Sequence, residues 1–127
     1  MNTQHDVGVA NQIGKYGDAV EVSPGSRWLI TSGTPGISLG GEVPSGIEAQ
    51  TELAWTHIEG MLKSSGMSVH DIVKVTQYLV CAEDIPAYAR IRNAFLGEAR
   101  PASMLSVVPA LVRPDFLVEV EVIAAAK

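Results

Sequence analysis

The sequence predicts an α+β fold in which two helices pack on one face of a β-sheet. Three observations carry that expectation. Two segments space their apolar residues with a helical period, several short runs are rich in β-branched and aromatic residues, and the elements follow in the order strand, strand, helix, strand, helix, strand, strand. The chain of 127 residues has the length of one domain, residues 1–127, and no repeat, low-complexity tract or linker divides it. With 46% hydrophobic and 18% charged residues it has the composition of a chain that buries a core.

The first two strands are expected at residues 17–22 (GDAVEV) and 27–32 (RWLITS), joined as a hairpin by Ser23-Pro24-Gly25-Ser26. Residues 33–46 hold five glycines and two prolines and read as a loop. A helix starts at Ile47, where Ala54, Trp55, Ile58, Met61 and Leu62 form one stripe. Ser45 and Glu48 have the spacing of a capping box, and Gly66 is placed to end the helix. Residues 72–80 (IVKVTQYLV) suit a strand. A second helix runs from Ile85 to Leu96, with Asp84 as its cap, Pro86 in its first turn and Gly97 at its exit. Ile85, Tyr88, Ile91 and Phe95 share its inner side, while Arg90 and Asn93 do not.

Two further strands are expected at 102–108 and 116–125, around a loop with Pro109 and Arg113-Pro114. Alternation in the last one sets Phe116, Val118, Val120 and Val122 on one face and Leu117, Glu119, Glu121 and Ile123 on the other. The second set is neither clean core nor a solvated surface. A partner subunit covering that side of the sheet would account for it, with a crevice where the carboxylates meet the partner.

Charge and composition exclude several classes of function. Nine Lys and Arg against fourteen Asp and Glu give a net charge of −5, and with a pI near 5.0 there is no basic field for nucleic acid. No apolar run reaches the roughly 20 residues of a membrane helix, and the N-terminus has no signal-peptide pattern, so a soluble, unprocessed protein is expected. One cysteine, Cys81, and three histidines, His5, His57 and His70, make a disulfide impossible within the chain and a zinc site hard to assemble. A reducing cytoplasm fits, with no metal.

No G-x-S-x-G hydrolase motif and no glycine-rich nucleotide fingerprint occurs. His70-Asp71 reads as a solvated turn, His57 as a packed or surface histidine, and Cys81 as a small apolar filler, because no cation or helix start adjoins it in sequence. Glu119 and Glu121 stand apart. Two carboxylates on one face of a strand are either a solvent-facing pair or a site where limited water raises one of their pKa values.

Ile13-Gly14-Lys15-Tyr16-Gly17-Asp18-Ala19-Val20, Thr31-Ser32-Gly33, Arg100-Pro101-Ala102 and Leu117-Val118-Glu119-Val120-Glu121-Val122-Ile123-Ala124 together resemble the reactive-intermediate deaminase (Rid, YjgF-like) family. Ile47-Glu48-Ala49-Gln50-Thr51 and Val73-Lys74-Val75-Thr76 resemble its helix start and following strand. The resemblance implies a single Rid-like domain of chorismate-mutase-like fold, assembled as a homotrimer with ligand clefts between subunits. It implies hydrolysis of a reactive imine or enamine to a carbonyl compound and ammonia, with no cofactor.

By resemblance Glu119 matches the residue that positions water, Tyr16 lines the cleft, and Ser32 and Gly33 form its wall. The family's carboxylate-binding arginine falls at Ser103, and the usual cysteine two residues on falls at Leu105; both positions are expected to contact substrate. Ser103 offers one neutral donor, so a neutral or differently shaped imine, enamine or carbonyl ligand is expected in place of a 2-imino acid. Leu105, Trp28 and Met104 would make the cleft more apolar. Arg113 lies in the loop before the last strand. A second reading is a non-catalytic member that binds a metabolite or a partner protein in the same cleft. Ribonuclease action, associated with some relatives, is disfavoured by the acidic pI.

Overall fold

The computed structural model describes all residues, Met1–Lys127. In chain order the elements are β1 (Thr3–His5), β2 (Ala19–Glu21), β3 (Arg27–Ile30), β4 (Thr34–Pro35), α1 (Ile47–Ser64), β5 (Ile72–Leu79), α2 (Ile85–Leu96), β6 (Ala102–Val107) and β7 (Val118–Ala126). The main sheet has the order β3-β7-β5-β6, and β4 also pairs with β7. All contacts are antiparallel except β5 with β6, which run parallel because α2 forms the crossover between them. This is the α+β arrangement expected, with both helices on one face.

Val118, Val120, Val122 and Ala124 of β7 and Val75 and Leu79 of β5 point at the helices and are buried. Ala54, Trp55, Ile58 and Leu62 of α1 and Tyr88 and Leu96 of α2 close over them. At roughly 25 cal/mol per Å² of apolar surface, this stripe-on-sheet burial is the main stabilising term. The opposite face keeps Ile30 71%, Trp28 56% and Met104 55% exposed, next to half-buried Glu119, Glu121 and Ile123. It is the mixed surface that alternation indicated.

The ends of α1 differ from one another. At its C-terminus Gly66, with φ +72°, lets its N–H reach Lys63 O while Met67 N–H reaches Leu62 O at 2.8 Å, a Schellman closure with Met67 buried beside Leu62. At its N-terminus the expected capping box is absent. Gly46 is the cap residue and no side chain bonds the first turn; Glu48 instead accepts from Arg90 of α2 at 2.8 Å. The motif occurs at Ser68 and Asp71, where both reciprocal bonds close a short 3₁₀ turn over Val69–Asp71. Asp84 does precede α2, but its side chain caps nothing, because a 3₁₀ turn over Ala82–Asp84 already leads the chain into the helix.

The expected hairpin does not form. β2 pairs with β1 in a separate two-stranded sheet, while β3 pairs with the far end of β7. The Pro-Gly turn is there, but its flanks are claimed by different partners at long range. The loop after β3 also contains β4, whose Thr34 and Pro35 lie opposite Val120 and Glu119. No helix is long and apolar enough to cross a membrane.

Candidate functional site

Residues 31–33 arch between β3 and β4 while both strands pair with β7. Thr31 anchors the arch: its N–H donates to Val122 O at 3.1 Å and its Oγ1 accepts from Val122 N–H at 3.0 Å. Thr34 Oγ1 donates to Ser32 O at 3.1 Å. The arch brings Gly33 against the Glu119 side chain, so closely that a Cβ at Gly33 would fall on the carboxylate. Ser32 and Gly33 are exposed and Glu119 is half-buried. Glu119 is in none of the three ion pairs, which are His5 with Glu21, Arg90 with Glu48, and Arg113 with Asp115. It is a carboxylate with a formed wall and no internal counter-charge.

Tyr16, Ser103 and Leu105 meet elsewhere. With Ile13, Gly14, Ile85, Ala89, Arg92 and Met104 they line a cleft of about 430 Å³ at the β6 edge, between the N-terminal segment and α2. Tyr16 is held there because Gly17 N–H bonds Pro101 O at 3.0 Å, and a Cβ at Gly17 would lie 2.7 Å from Arg100 O and from the Gln4 amide. Asp18 fixes the segment from the other side. Its carboxylate accepts from the N–H groups of Val7, Gly8, Val9 and Ala10 at 2.7 to 3.4 Å, and those bonds hold its pKa below the ordinary value.

Beneath this cleft lies a polar network that sequence reasoning missed. Gln77, fully buried on β5, donates from Nε2 to Ser103 Oγ at 3.0 Å and to Met104 O at 2.9 Å. Its Oε1 accepts from Tyr88 Oη at 2.7 Å and from Arg92 at 3.0 Å. A guanidinium can only donate and a carbonyl only accept, so the amide's orientation follows from its neighbours. Tyr88 in turn accepts from Trp55 Nε1 at 3.3 Å, and burial pushes its phenol pKa up, so it stays a neutral donor. Ser103 Oγ is thereby an acceptor toward Gln77, and its own proton has no acceptor within the chain. A glutamine in the β-branched and aromatic run IVKVTQYLV, and an arginine one turn after Tyr88, were the available signals.

Ser103 and Leu105 lie beside Val75 and Gln77 in register and share their helix-facing side. Glu119 lies beside Tyr78 and takes the opposite side. One chain therefore carries two groups, Ser32-Gly33-Glu119 and Tyr16-Ser103-Leu105, on different faces of one sheet. Glu121 is in the register opposite Thr76, on the Glu119 side. Arg113 pairs with Asp115 at 3.0 Å and covers Phe116, away from the Ser103 cleft, and Trp28 lies on the helix-free face. Arg100 closes the end of α2 through Gly97 O and Ala99 O. His57 Nε2 meets Ile37 O at 2.6 Å. No three His, Cys, Asp or Glu side chains are grouped to hold a metal.

A two-helix layer on this sheet, with a glycine arch against a carboxylate in the last strand, defines a small α+β class into which the comparisons place the chain. Residues 9–126 match the family model described as endoribonuclease L-PSP. A RutC family protein of Pyrococcus abyssi is 33% identical over 113 residues, covering 88% of this chain and 87% of its own. The 2-iminobutanoate/2-iminopropanoate deaminase of Escherichia coli K12 is 30% identical, covering 88% of each chain. Among solved structures, E. coli TdcF with bound serine superposes with a TM-score of 0.75 at 27% identity, over 98% of this chain and 96% of that one. The conserved Rid protein YyfB of Yersinia pestis has the same fold, with a TM-score of 0.86 at 24% identity over 98% of each. The chain belongs to the Rid/YjgF family.

Proposed function

We propose that this protein hydrolyses a reactive imine or enamine to a carbonyl compound and ammonia, in clefts formed between the subunits of a homotrimer. The carrying observation is the Glu119 carboxylate, unpaired within the chain and walled by Gly33, in a chain 30% identical to a 2-iminobutanoate/2-iminopropanoate deaminase. The same geometry supports assembly. Glu119 and Ser103 leave opposite faces of the sheet, so a complete site needs Glu119 of one subunit beside Tyr16 and Ser103 of another, and the exposed Trp28 and Ile30 give the Glu119 face apolar area to bury.

In that cleft the Ser103 proton and the Tyr16 hydroxyl hold the substrate, and Leu105 and Met104 limit water around it. Glu119 takes a proton from a water molecule as its oxygen bonds to the C=N carbon, and the nitrogen gains a proton. The resulting carbinolamine loses ammonia when Glu119 returns its proton to the amine and the C–N bond breaks; the hydroxyl proton passes to solvent water as C=O forms, balancing the proton that the nitrogen took from solvent in the first step. An enamine is first protonated at carbon to give the imine. Water is the only co-reactant and no cofactor takes part. A nuclease reading lacks a cationic groove, since Arg92 is the one cation lining the cleft.

Ammonia release from freshly generated imines and enamines, charged and neutral, tests the reading. Turnover that Glu119→Gln lowers by at least about 100-fold, at unchanged melting temperature, supports it. Absence of turnover for every imine, or turnover indifferent to Glu119, overturns it. Ligand binding without turnover would leave a metabolite-binding member of the family.

A further inference from the structure

We propose that Arg92, on α2, is the anion-binding group of the cleft, and that the ligand carries a single carboxylate held between Arg92 and Ser103. The inference rests on the proposed site for the cleft's role and deepens it by naming the charge of the substrate. It departs from the neutral ligand that the serine at position 103 suggested.

Arg92 forms no ion pair; the two arginines that do, Arg90 and Arg113, pair with carboxylates on the exposed surface. It is half-buried, with its guanidinium 5.5 Å from the centre of the Tyr88 ring. Its bonds are one to Gln77 Oε1 at 3.0 Å and one from Nε to Asn93 Oδ1 at 3.2 Å, both neutral acceptors. Five N–H donors are thus met by two acceptors within the chain, in a residue that lines the cleft. Burial works against its charge and lowers its pKa, opposed by Tyr88 and Tyr16. A guanidinium kept partly desolvated without a counter-charge is matched by an anion supplied from outside.

The geometry also selects which anion. Arg92 and Ser103 are bonded to the two ends of one amide, Gln77, whose own position is set by Tyr88 and Met104. Their free donors therefore border the same part of the cleft and are held before ligand arrives. One cation and one hydroxyl suit a monoanionic carboxylate; a phosphate dianion would call for a second cation, and the remaining lining is Ile13, Ile85, Ala89, Leu105 and other uncharged residues. Arg92 is a specificity residue in this role, contacting the carboxylate and leaving the C=N bond to Glu119.

The test is titration calorimetry of the full chain with pyruvate and with pyruvamide, its neutral isostere. Pyruvate is expected to bind roughly 10- to 100-fold more tightly, as for a charge-assisted contact. Arg92→Met should remove that preference and Arg92→Lys should retain part of it. Equal affinities for the two probes, no binding of either, or a preference that persists in Arg92→Met overturns the proposal. Should Arg92→Met fail to fold, the wild-type ratio and the Arg92 side-chain NMR resonances, which must shift with pyruvate and not with pyruvamide, decide it. Turnover is read separately: a carboxylate preference with no imine hydrolysis keeps the anion site and removes the hydrolase reading, and hydrolysis indifferent to substrate charge does the reverse.

Discussion

Gln77 concentrates more of the site's order than any residue that would touch a substrate. Its four hydrogen bonds tie a strand, a helix and the cleft wall together in the buried interior. Gln77→Leu leaves the Tyr88 hydroxyl without its acceptor and Ser103 free to rotate. It is expected to cost about 2 to 4 kcal/mol, read as a lower urea midpoint at unchanged m-value. Gly33 makes the opposite kind of prediction. It is exposed and its φ is ordinary, so Gly33→Ala should shift stability by less than about 0.5 kcal/mol. Its methyl nonetheless displaces the Glu119 carboxylate, so ammonia release should fall sharply while the melting temperature holds.

Among the elements, the N-terminal segment is the one held by charge. Asp18 collects four backbone N–H groups, and those bonds lower its pKa in the folded chain. A lowered carboxyl pKa contributes stability above the unfolded value and loses it as pH falls through the folded value. Asp18→Asn should therefore destabilise most near neutral pH, and the gap between the two melting curves should close as the pH drops below the ordinary carboxylate range. A gap that does not narrow in acid would mean that the ionised carboxylate is not what holds this segment. The C-terminus of α1 gives a second measure. Gly66 at φ +72° permits the Schellman closure, so Gly66→Ala should cost about 1 kcal/mol in a denaturant titration.

For the molecule as a whole, the helix-free face is the surface with most at stake. Ile30 and Trp28 are exposed there in the single chain, while the proposed clefts require that face to meet another subunit. Ile30→Asp is expected to shift the mass by light scattering from three chains toward one chain of 13.5 kDa, with turnover lost alongside it. A monomeric wild type, or a variant that stays trimeric and active, would show that the cleft closes in some other way.

Much of the fold was legible in the chain, because helices and strands leave a local signal. The stripe Ala54, Trp55, Ile58, Leu62 and the alternation of Val118, Val120 and Val122 mark the faces that are buried. Ile85–Leu96 is helical as its proline entry and glycine exit indicate. Alternation also set Glu119 on the side away from the helices. The capping of α1, the pairing of β2 and the placement of Arg92 were not legible, since each depends on what a distant segment offers. Glu48 is taken by Arg90, β2 by β1, and Arg92 by a glutamine fifteen residues upstream.

The sequence by itself determined the element types, the buried stripes and the side of the last strand on which its carboxylates lie, because periodicity is a property of neighbours along the chain. Only the tertiary structure decided that Gly33 walls Glu119, that Ser103 and Glu119 point to opposite faces, and that a guanidinium from α2 stands where Ser103 alone would leave the cleft uncharged. Those relations are fixed by strand register and by buried hydrogen bonds, which join residues that no spacing in the sequence brings together.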